Sequence, residues 1–468
     1  MRVRILGQYV PASLALLALI EAGLAFLALY AAASIRFDIG MHELPELERQ
    51  YGPLWPRGVA FSAIVVGCLL AFGLYNSRQR VHLTGILARV LVALIVSSCA
   101  TAALFYVVPS MHLGRGVAAL AVLLMLCAVV VSRLVFARMA DEDIFKRRVL
   151  VFGAGSVAAT VARLRRATDR QGFSLAGFVM PPTEERVVPA ERVLDSNGDL
   201  CALCNRLGIT EVVVAMDDRR RGFPIPQLLN CRLAGIEVTE LLTFLERETG
   251  RVRIDVLNPS WLIFGQGFRR DPVRLFSCRA LDVLASLAVL VVGLPAMLLT
   301  MVAIKLEDGL RAPALYTQAR VGLGGKVFKL LKFRSMRLDA EQNGAQWAQY
   351  ADPRVTRVGA MIRKLRFDEL PQVINVLRGE MSFVGPRPER PEFVAQLAEK
   401  IPYYAQRHCV KPGITGWAQL CYPYGSSEAD ALQKLQYDLY YIKNNSLLFD
   451  LAILLQTAEV VLFGKGAR

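Results

Sequence analysis

The sequence predicts a membrane protein built in three parts: an N-terminal bundle of four transmembrane helices, a middle α/β domain, and a mainly α-helical C-terminal domain introduced by a re-entrant membrane helix. Three observations support this prediction. The 468 residues are 54% hydrophobic yet carry a net charge of +15, a combination that soluble domains rarely show. Apolar stretches of membrane-spanning length open the chain. A strand, a glycine turn and a helical pattern follow them.

The apolar stretches predict four transmembrane helices within residues 1–140. Each approaches the roughly 20 residues needed to cross a bilayer, and the second is the shortest. The first is too long for a cleaved signal peptide, and no small-residue cleavage site precedes a mature domain. The stretches are residues 13–33, 59–74, 86–107 and 116–136.

Charged residues beside these stretches predict their orientation. Basic residues precede the first stretch, follow the second, and end or follow the fourth, whereas the loop after the first is acidic. The positive-inside rule therefore places the N-terminus and the exit of the fourth stretch in the cytoplasm. The basic residues are Arg2, Arg4, Arg78, Arg80, Arg133, Arg138, Lys146, Arg147 and Arg148, and the acidic ones are Asp38, Glu43, Glu46 and Glu48.

Residues 145–263 predict a small doubly wound α/β domain similar to dinucleotide-binding folds. Residues 148–158 have the pattern of a strand, a glycine turn and a helix, and further strands are predicted at 175–180, 211–215 and 235–238. NAD binding is not favoured, because Pro181-Pro182 follows the second strand where an acid would bind a ribose. We therefore expect a structural, dimerising or regulatory domain.

A further apolar segment, residues 281–304, predicts a re-entrant helix at the start of the C-terminal domain (276–468). Both flanks are basic, so both favour the cytoplasm. Pro295 lies inside the segment, where proline removes a helix hydrogen bond and bends the helix. A straight fifth spanning helix is the alternative. Asp282 would lie at headgroup level, with Arg279 as its partner.

Composition excludes some classes of function. Of the nine cysteines, Cys201 and Cys204 have the one ligand-like spacing, and no second pair or nearby histidine completes a zinc site. Reduced thiols are therefore expected. Nucleic acid is not an expected partner, because the basic residues are not interleaved with aromatic residues.

The C-terminal domain concentrates groups suited to phosphoryl transfer. It has no Walker glycine loop, and His408 is its one histidine, so acid–base and nucleophilic roles fall on carboxylates. Asp368 and Glu369 end a basic helical run, Ile362–Arg366, which we expect to hold an anionic substrate. Gly385-Pro386-Arg387 follows as a rigid turn whose guanidinium can bind phosphate in bidentate fashion.

From about Arg279 to the C-terminus, the sequence resembles the bacterial sugar transferase family of polyprenyl-phosphate hexose-1-phosphate transferases. Seven motifs in order, over about 190 residues, carry the resemblance. The N-terminal arrangement resembles the large members that initiate exopolysaccharide or O-antigen assembly. The motifs are residues 316–322, 332–336, 352–356, 368–372, 385–388, 411–416 and 437–442.

The resemblance implies a reaction at the bacterial inner membrane. A UDP-sugar, expected to be UDP-glucose ahead of UDP-galactose, would give its sugar 1-phosphate to undecaprenyl phosphate and release UMP. Asp368 would attack the phosphorus, and Asp368 or Glu369 would bind Mg²⁺. Pro295 corresponds to the proline that breaks the re-entrant helix. The expected phosphate- or substrate-binding residues are Arg320, Lys332, Arg334, Arg366, Gly385, Pro386 and Arg387.

Two departures from the family pattern occur. Leu294 precedes Pro295 where serine is usual, and Ala319 stands where an acid is usual, which suggests that Arg320 lacks a customary partner. A homodimer is expected through the middle domain or the membrane helices. Two rival functions stay open: a membrane-bound nucleotide-sugar dehydratase or epimerase, and a non-catalytic regulator. The first lacks a Tyr-x-x-x-Lys pair, since no tyrosine occurs between Tyr106 and Tyr316.

Overall fold

The computed structural model divides the chain into two units, Met1–Thr249 and Gly250–Arg468. This division lies before the predicted boundaries at 263 and 276, and the three-domain organisation stays a prediction. The described residues are 2–5, 8–38, 48–49, 52–75, 83–111, 114–140, 146–164, 172–196, 198–220, 222–257, 272–340, 352–422, 425 and 427–462.

The first unit begins with a short antiparallel hairpin, which was not predicted, and continues with the four apolar helices that the sequence predicts. Among the described residues, three of these helices are long and apolar enough to cross a membrane, whereas the second has 17 residues and is shorter. The weak second stretch of the sequence therefore corresponds to a real but short helix. The elements are β1 (Arg2–Ile5), β2 (Gln8–Pro11), α1 (Ala12–Phe37), α2 (Trp55–Ala71), α3 (Leu83–Val107) and α4 (Arg115–Ala140).

A buried ionic cluster joins three parts of this helical region. Glu21 of α1 is fully buried and accepts hydrogen bonds from Arg133 of α4, at 2.8 and 3.0 Å. Ser132 Oγ, at 3.2 Å, and the hydroxyl of Tyr75 also donate to this carboxylate. Ionisable groups among apolar helices are costly unless paired, so this cluster links α1, α4 and the turn after α2.

We expect Glu21→Gln to destabilise the protein by roughly 3–5 kcal/mol, because it leaves the Arg133 charge buried without a counter-ion. Thermal unfolding in nanodiscs measures the effect. The double variant Glu21→Leu/Arg133→Leu is the control, and it should recover much of the loss because neither charge remains. An unchanged melting temperature for Glu21→Gln would show that the pair contributes nothing.

The middle region forms a five-stranded parallel sheet in the order β5-β4-β3-β6-β7. Numbered from its own first strand, the order is 3-2-1-4-5, which is that of dinucleotide-binding folds. Four predicted strands are confirmed, and the two-residue β5 was not predicted. The elements are β3 (Arg147–Phe152), α5 (Ser156–Ala162), β4 (Phe173–Val179), β5 (Val193–Leu194), α6 (Leu200–Leu207), β6 (Glu211–Val214), α7 (Ile225–Leu233), β7 (Glu237–Glu240) and α8 (Leu241–Thr249).

The second unit is mainly helical and contains two small sheets. Strands β8 and β9 form an antiparallel hairpin, and β10 pairs with β11 in parallel. Two 3₁₀ turns, Phe367–Glu369 and Tyr404–Cys409, interrupt the helices. The elements are α9 (Pro272–Asp308), β8 (Leu315–Val321), β9 (Val327–Phe333), α10 (Arg357–Lys364), α11 (Gln372–Arg378), β10 (Ser382–Val384), α12 (Pro391–Lys400), β11 (Gly413–Thr415), α13 (Trp417–Cys421), α14 (Glu428–Asn444) and α15 (Leu447–Leu462).

Helix α9 is the fourth helix of membrane-spanning length among the described residues, and it runs on through Pro295. The helix is therefore not interrupted at this proline, and the re-entrant path stays a prediction. Near its start, Arg279 donates to the carbonyls of Val376 and Leu377, both at 2.7 Å. Asp282 bonds elsewhere, so the predicted Arg279–Asp282 pairing is replaced by contacts with the rest of the unit.

Both ends of α9 contact the same globular unit. Asp282 accepts hydrogen bonds from Ser382 Oγ and the Phe383 amide, each at 2.9 Å. At the other end, Asp308 pairs with Arg334 at 2.7 Å, and Ile304 belongs to a buried cluster with Phe333. The apolar face between these anchors is exposed, with Val291 and Val292 76% and 81% accessible.

The connector that follows α8 belongs to the second unit by its contacts. The indole N–H of Trp417 donates to the Gly250 carbonyl at 2.9 Å, and the Val252 amide donates to the Gln436 carbonyl at 3.0 Å. These bonds explain why the unit begins at Gly250. At the other end of the unit, Phe449 and Ile453 bury one face of α15, so this face of the C-terminal helix packs in the core.

Candidate active site

The two predicted acids lie on a tight turn rather than on the preceding helix. Helix α10 ends at Lys364, and Arg366 adopts a left-handed conformation with φ of 61°. The 3₁₀ turn Phe367–Glu369 follows directly. The prediction that Asp368 and Glu369 end a continuous helix is therefore wrong. In a turn with three residues per repeat, adjacent side chains still point in different directions, as the two proposed roles require.

Asp368 is a buried carboxyl group with an unsatisfied oxygen. Its residue is 9% exposed, and Oδ1 has no hydrogen-bond partner among the described residues. Burial raises the pKa of Asp368, and the charge of Glu369 adds to this effect, while Lys332, Arg363 and Arg366 oppose it. An unpartnered buried oxygen beside cations is suited to bind a metal ion or to attack an electrophile.

Glu369 is held by two cations. Its Oε1 atom accepts a hydrogen bond from Arg387 at 2.9 Å and lies 3.6 Å from Lys332 Nζ. Burial pushes the pKa of Glu369 upward, but Arg387 and Lys332 outweigh burial and bring the pKa to about 2. Glu369 is therefore ionised at neutral pH. Burial also lowers the pKa of Lys332.

We expect the stability of the protein to fall as pH is lowered from about 4.5 to about 2, in part because Glu369 becomes protonated. A carboxyl group whose pKa is lowered on folding stabilises the protein above its unfolded pKa and loses that contribution below it. The contribution is at most about 3 kcal/mol. Thermal unfolding at pH 5 and pH 3 measures it, and Glu369→Gln should show a smaller difference. An identical pH dependence in the variant would contradict this assignment.

The segment Gly385–Glu389 passes very close to another stretch of backbone. The Gly385 amide donates to the Thr415 carbonyl at 2.9 Å, and the Gly413 amide donates to the Pro386 carbonyl at 3.0 Å. A Cβ atom on Gly385 would lie 2.4 Å from the Lys411 carbonyl oxygen. Only glycine allows this approach, because it has no Cβ atom. Pro386 therefore contributes its carbonyl to the scaffold.

Arg320 stabilises this segment through its guanidinium group. It donates to the Pro388 carbonyl at 2.9 Å, lies 3.5 Å from Glu389, and bonds to Gln318 Oε1 at 2.6 and 3.1 Å. The sequence suggested that Arg320 lacks a customary partner because Ala319 precedes it, and the structure gives Arg320 these other partners instead. These contacts make Arg320 a residue that positions the turn, and its contact with substrate stays a prediction.

Two further predicted phosphate ligands are Lys332, in strand β9, and Arg334, directly after it. Lys332 points to Glu369, whereas Arg334 pairs with Asp308 at the end of α9. Arg334 Nε and Nη1 are buried and have no hydrogen-bond partner among the described residues. The structure thus brings Lys332 and Arg387 to Glu369. Arg366 is exposed, and its charge acts on Asp368 and Glu369.

Asn375 is a site-supporting residue that the sequence analysis missed. It is fully buried on α11, and its side chain accepts a hydrogen bond from the Leu331 amide at 3.0 Å and donates to the Lys329 carbonyl at 2.8 Å. It therefore fixes β9 directly before Lys332. The available signal was an asparagine between two apolar residues, because a buried asparagine side chain needs hydrogen-bond partners.

The donor set fits Mg²⁺ shared with a substrate. No cluster of three or more metal-ligating side chains occurs within the described part of the chain. Mg²⁺, however, is commonly held by one or two carboxylates together with substrate phosphates. Asp368 and Glu369 supply two carboxylates, and the unsatisfied Oδ1 of Asp368 is the observation that favours metal binding.

The glycine turn of the middle region is occupied by its own carboxylates. Glu184 accepts hydrogen bonds from the amides of Ala154 and Gly155 at 2.8 and 3.2 Å. Asp217 accepts those of Ser156 and Val157 at 2.9 and 2.8 Å. In dinucleotide-binding folds such amides bind a pyrophosphate. These four donors are already used, which favours the predicted structural or regulatory role.

The part of the chain that contains these carboxylates and cations is similar to known proteins. The bacterial sugar transferase family profile matches residues 273–464. A UDP-N-acetylgalactosamine-undecaprenyl-phosphate N-acetylgalactosaminephosphotransferase from Aeromonas hydrophila is 46% identical over 52% of the chain, which spans 56% of that relative's length. A UDP-glucose:undecaprenyl-phosphate glucose-1-phosphate transferase from Caulobacter vibrioides is 43% identical over 40% of the chain and 71% of its own length.

A third relative extends the similarity beyond the C-terminal unit. An undecaprenyl-phosphate galactose phosphotransferase from Salmonella typhimurium is 28% identical over 69% of the chain and 70% of its own length. The fold and the site together define a membrane-associated protein whose active site combines carboxylate and arginine side chains. The chain belongs to the bacterial sugar transferase family.

Proposed function

We propose that the protein transfers a hexose 1-phosphate from a UDP-sugar to undecaprenyl phosphate and releases UMP. The observation that carries this proposal is the buried Asp368, whose Oδ1 has no hydrogen-bond partner among the described residues, beside an ionised Glu369 that is paired with Lys332 and Arg387. One carboxylate is free to react while its neighbour holds the cations in place. The names of the relatives support both substrates.

In the proposed mechanism, an Asp368 carboxylate oxygen attacks the phosphorus that bears the sugar. A new P–O bond forms, the bond to the UMP oxygen breaks, and UMP leaves with the electron pair. A phosphate oxygen of undecaprenyl phosphate then attacks the same phosphorus and displaces the carboxylate. Lys332 and Arg387, whose side chain is 36% exposed, offset negative charge on the phosphates.

Mg²⁺ would be held by Asp368 or Glu369 together with the diphosphate of the donor. Such an ion supplies charge neutralisation that makes the diphosphate a better electrophile. The protein groups arrange the carboxylates for it: Arg387 and Lys332 contact Glu369 Oε1. Asp368 Oδ1 accepts no hydrogen bond from the described residues.

The contacts of α9 support a re-entrant path into the inner leaflet of the bacterial inner membrane. A straight helix would separate Arg279 from Asp308 by about 43 Å, more than the hydrocarbon core of a bilayer. Yet residues at both ends bond to the same globular unit. The exposed apolar face between them would enter the lipid, with the active site cytoplasmic and close to the undecaprenyl headgroup.

The experiment is a donor panel. Purified protein in nanodiscs would be incubated with undecaprenyl phosphate, Mg²⁺ and UDP-glucose, UDP-galactose or UDP-N-acetylgalactosamine, and UMP release would be measured. The sequence favoured glucose, while the Aeromonas relative adds N-acetylgalactosamine as an equal first choice. UMP release with one donor, dependent on the lipid phosphate for turnover, is expected. A folded protein that releases no UMP with any of these donors would contradict the proposal.

A further inference from the structure

We propose that Arg407 and Asp438 are positioning residues that fix Arg387, and through it Glu369, in the transferase reaction. This inference rests on the proposed function for its kinetic consequences. Its structural part can be tested without activity. Arg407 lies on the 3₁₀ turn Tyr404–Cys409 and Asp438 on helix α14, far in sequence from the acids.

The Arg407 guanidinium joins three groups in the core. Its Nη2 atom donates to Asp438 Oδ2 at 2.9 Å and to the main-chain carbonyl of Arg387 at 3.0 Å. Its Nη1 atom donates to the Tyr404 hydroxyl at 2.7 Å. The side chains of Arg407 and Asp438 are 7% and 2% exposed. Asp438 therefore fixes Arg407, and Arg407 binds the backbone of the active-site turn.

The next contact reaches the carboxylates. Arg387 is bonded to Arg407 through its carbonyl, and its own guanidinium donates to Glu369 Oε1 at 2.9 Å. The four residues thus form one chain of bonds, Asp438–Arg407–Arg387–Glu369, that ends beside Asp368. Arg320 binds the adjacent Pro388 carbonyl. Two arginines therefore set the backbone of the turn, while a third contacts the acid.

The turn that carries Arg407 has the same local feature as the turn that carries the acids. Tyr403, directly before it, has φ of 63°, and Arg366, before the acids, has φ of 61°. Left-handed conformations are unfavourable for residues other than glycine, and they persist where the surrounding structure holds them. Arg407 is thus placed by a backbone conformation that is maintained at a local cost, as Asp368 is.

Two conservative variants in the full-length protein test the proposal. Arg407→Lys keeps the charge but not the geometry, and Asp438→Asn keeps the shape but not the charge. Because a hydrogen bond from a charged donor is lost or weakened, kcat for UMP release should fall by roughly 10- to 100-fold. KM for the UDP-sugar should change by less than about threefold. Lys400→Met, which breaks the exposed Lys400–Glu428 pair, is the matched control and should leave kcat unchanged.

A double-mutant cycle separates positioning from general stability. In an Arg387→Lys background, Arg407→Lys should cause less than about a threefold further loss, because both changes act on one interaction. Losses that multiply, or a wild-type kcat in either single variant, would overturn the proposal.

Hydrogen exchange tests the structural part of the proposal and does not depend on activity. The amides of Gly385, Arg387 and Glu389 should exchange faster in Arg407→Lys than in the wild type, while those of the middle sheet stay unchanged. Unchanged exchange at these three amides would overturn the proposal even if the wild type transfers sugar. If the wild type releases no UMP, faster exchange would still support the positioning contact, and the proposed function would fail separately.

Discussion

Asp368→Asn is expected to lower UMP release by on the order of 10³-fold or more, with the protein still folded. The amide keeps the shape of the buried side chain but cannot act as an anionic nucleophile. The buried Oδ1 of Asp368 has no hydrogen-bond partner among the described residues, so the substitution breaks no hydrogen bond of the described structure. Activity should therefore be lost without a matching loss of stability.

The measurement compares steady-state UMP release and melting temperature in the same preparation. Asp339→Asn is the matched control, because it makes the same chemical change at an exposed residue of the same unit. It should keep wild-type activity. An Asp368→Asn protein with more than about a tenth of wild-type turnover would exclude Asp368 as the nucleophile.

Gly385→Ala is expected to cause the second largest loss of activity, together with a destabilisation of about 2–3 kcal/mol. The added Cβ would lie 2.4 Å from the Lys411 carbonyl oxygen and 2.9 Å from the Gly413 nitrogen, both main-chain atoms. These atoms cannot move aside as a side chain can. The turn must therefore shift, and Arg387 would move away from Glu369.

Denaturation and UMP release of the same variant measure both consequences. Gly293→Ala is the control, because its added methyl group would meet only the Val289 side chain, at 3.9 Å, within a helix. It should be neutral or slightly stabilising. If Gly385→Ala retained wild-type turnover, the close passage of the two backbone segments would not be what sets the active site.

The sequence was informative where chemistry and local pattern coincide. The apolar stretches predicted the N-terminal helices, and the strand and glycine-turn pattern predicted most of the parallel sheet. Asp368, Glu369, Lys332 and Arg387 were all chosen from their motifs, and the structure brings them together. The function of short motifs with several charged residues and a glycine can be predicted, because each residue type has a specific chemical use.

Contacts between distant residues could not be predicted in the same way. The pairing of Arg407 with Asp438, 31 positions later, depends on how α14 packs, and periodicity does not encode this. The left-handed conformation of Arg366 was also hidden, since arginine rarely adopts it. In the middle region, Glu184 and Asp217 lie 29 or more positions from the amides that donate hydrogen bonds to them. The sequence of the glycine turn alone therefore did not show that these amides have partners.

A single-turnover experiment without lipid tests whether Asp368 forms a covalent phosphosugar intermediate. Enzyme in nanodiscs free of undecaprenyl phosphate would be mixed with Mg²⁺ and the preferred UDP-sugar, and both UMP and the mass of the peptide containing Asp368 would be measured. We expect at most one UMP per enzyme and a hexose-phosphate adduct on Asp368, which disappears when undecaprenyl phosphate is added. UMP release that requires the lipid from the first turnover, with no adduct, would rule out a covalent intermediate on Asp368.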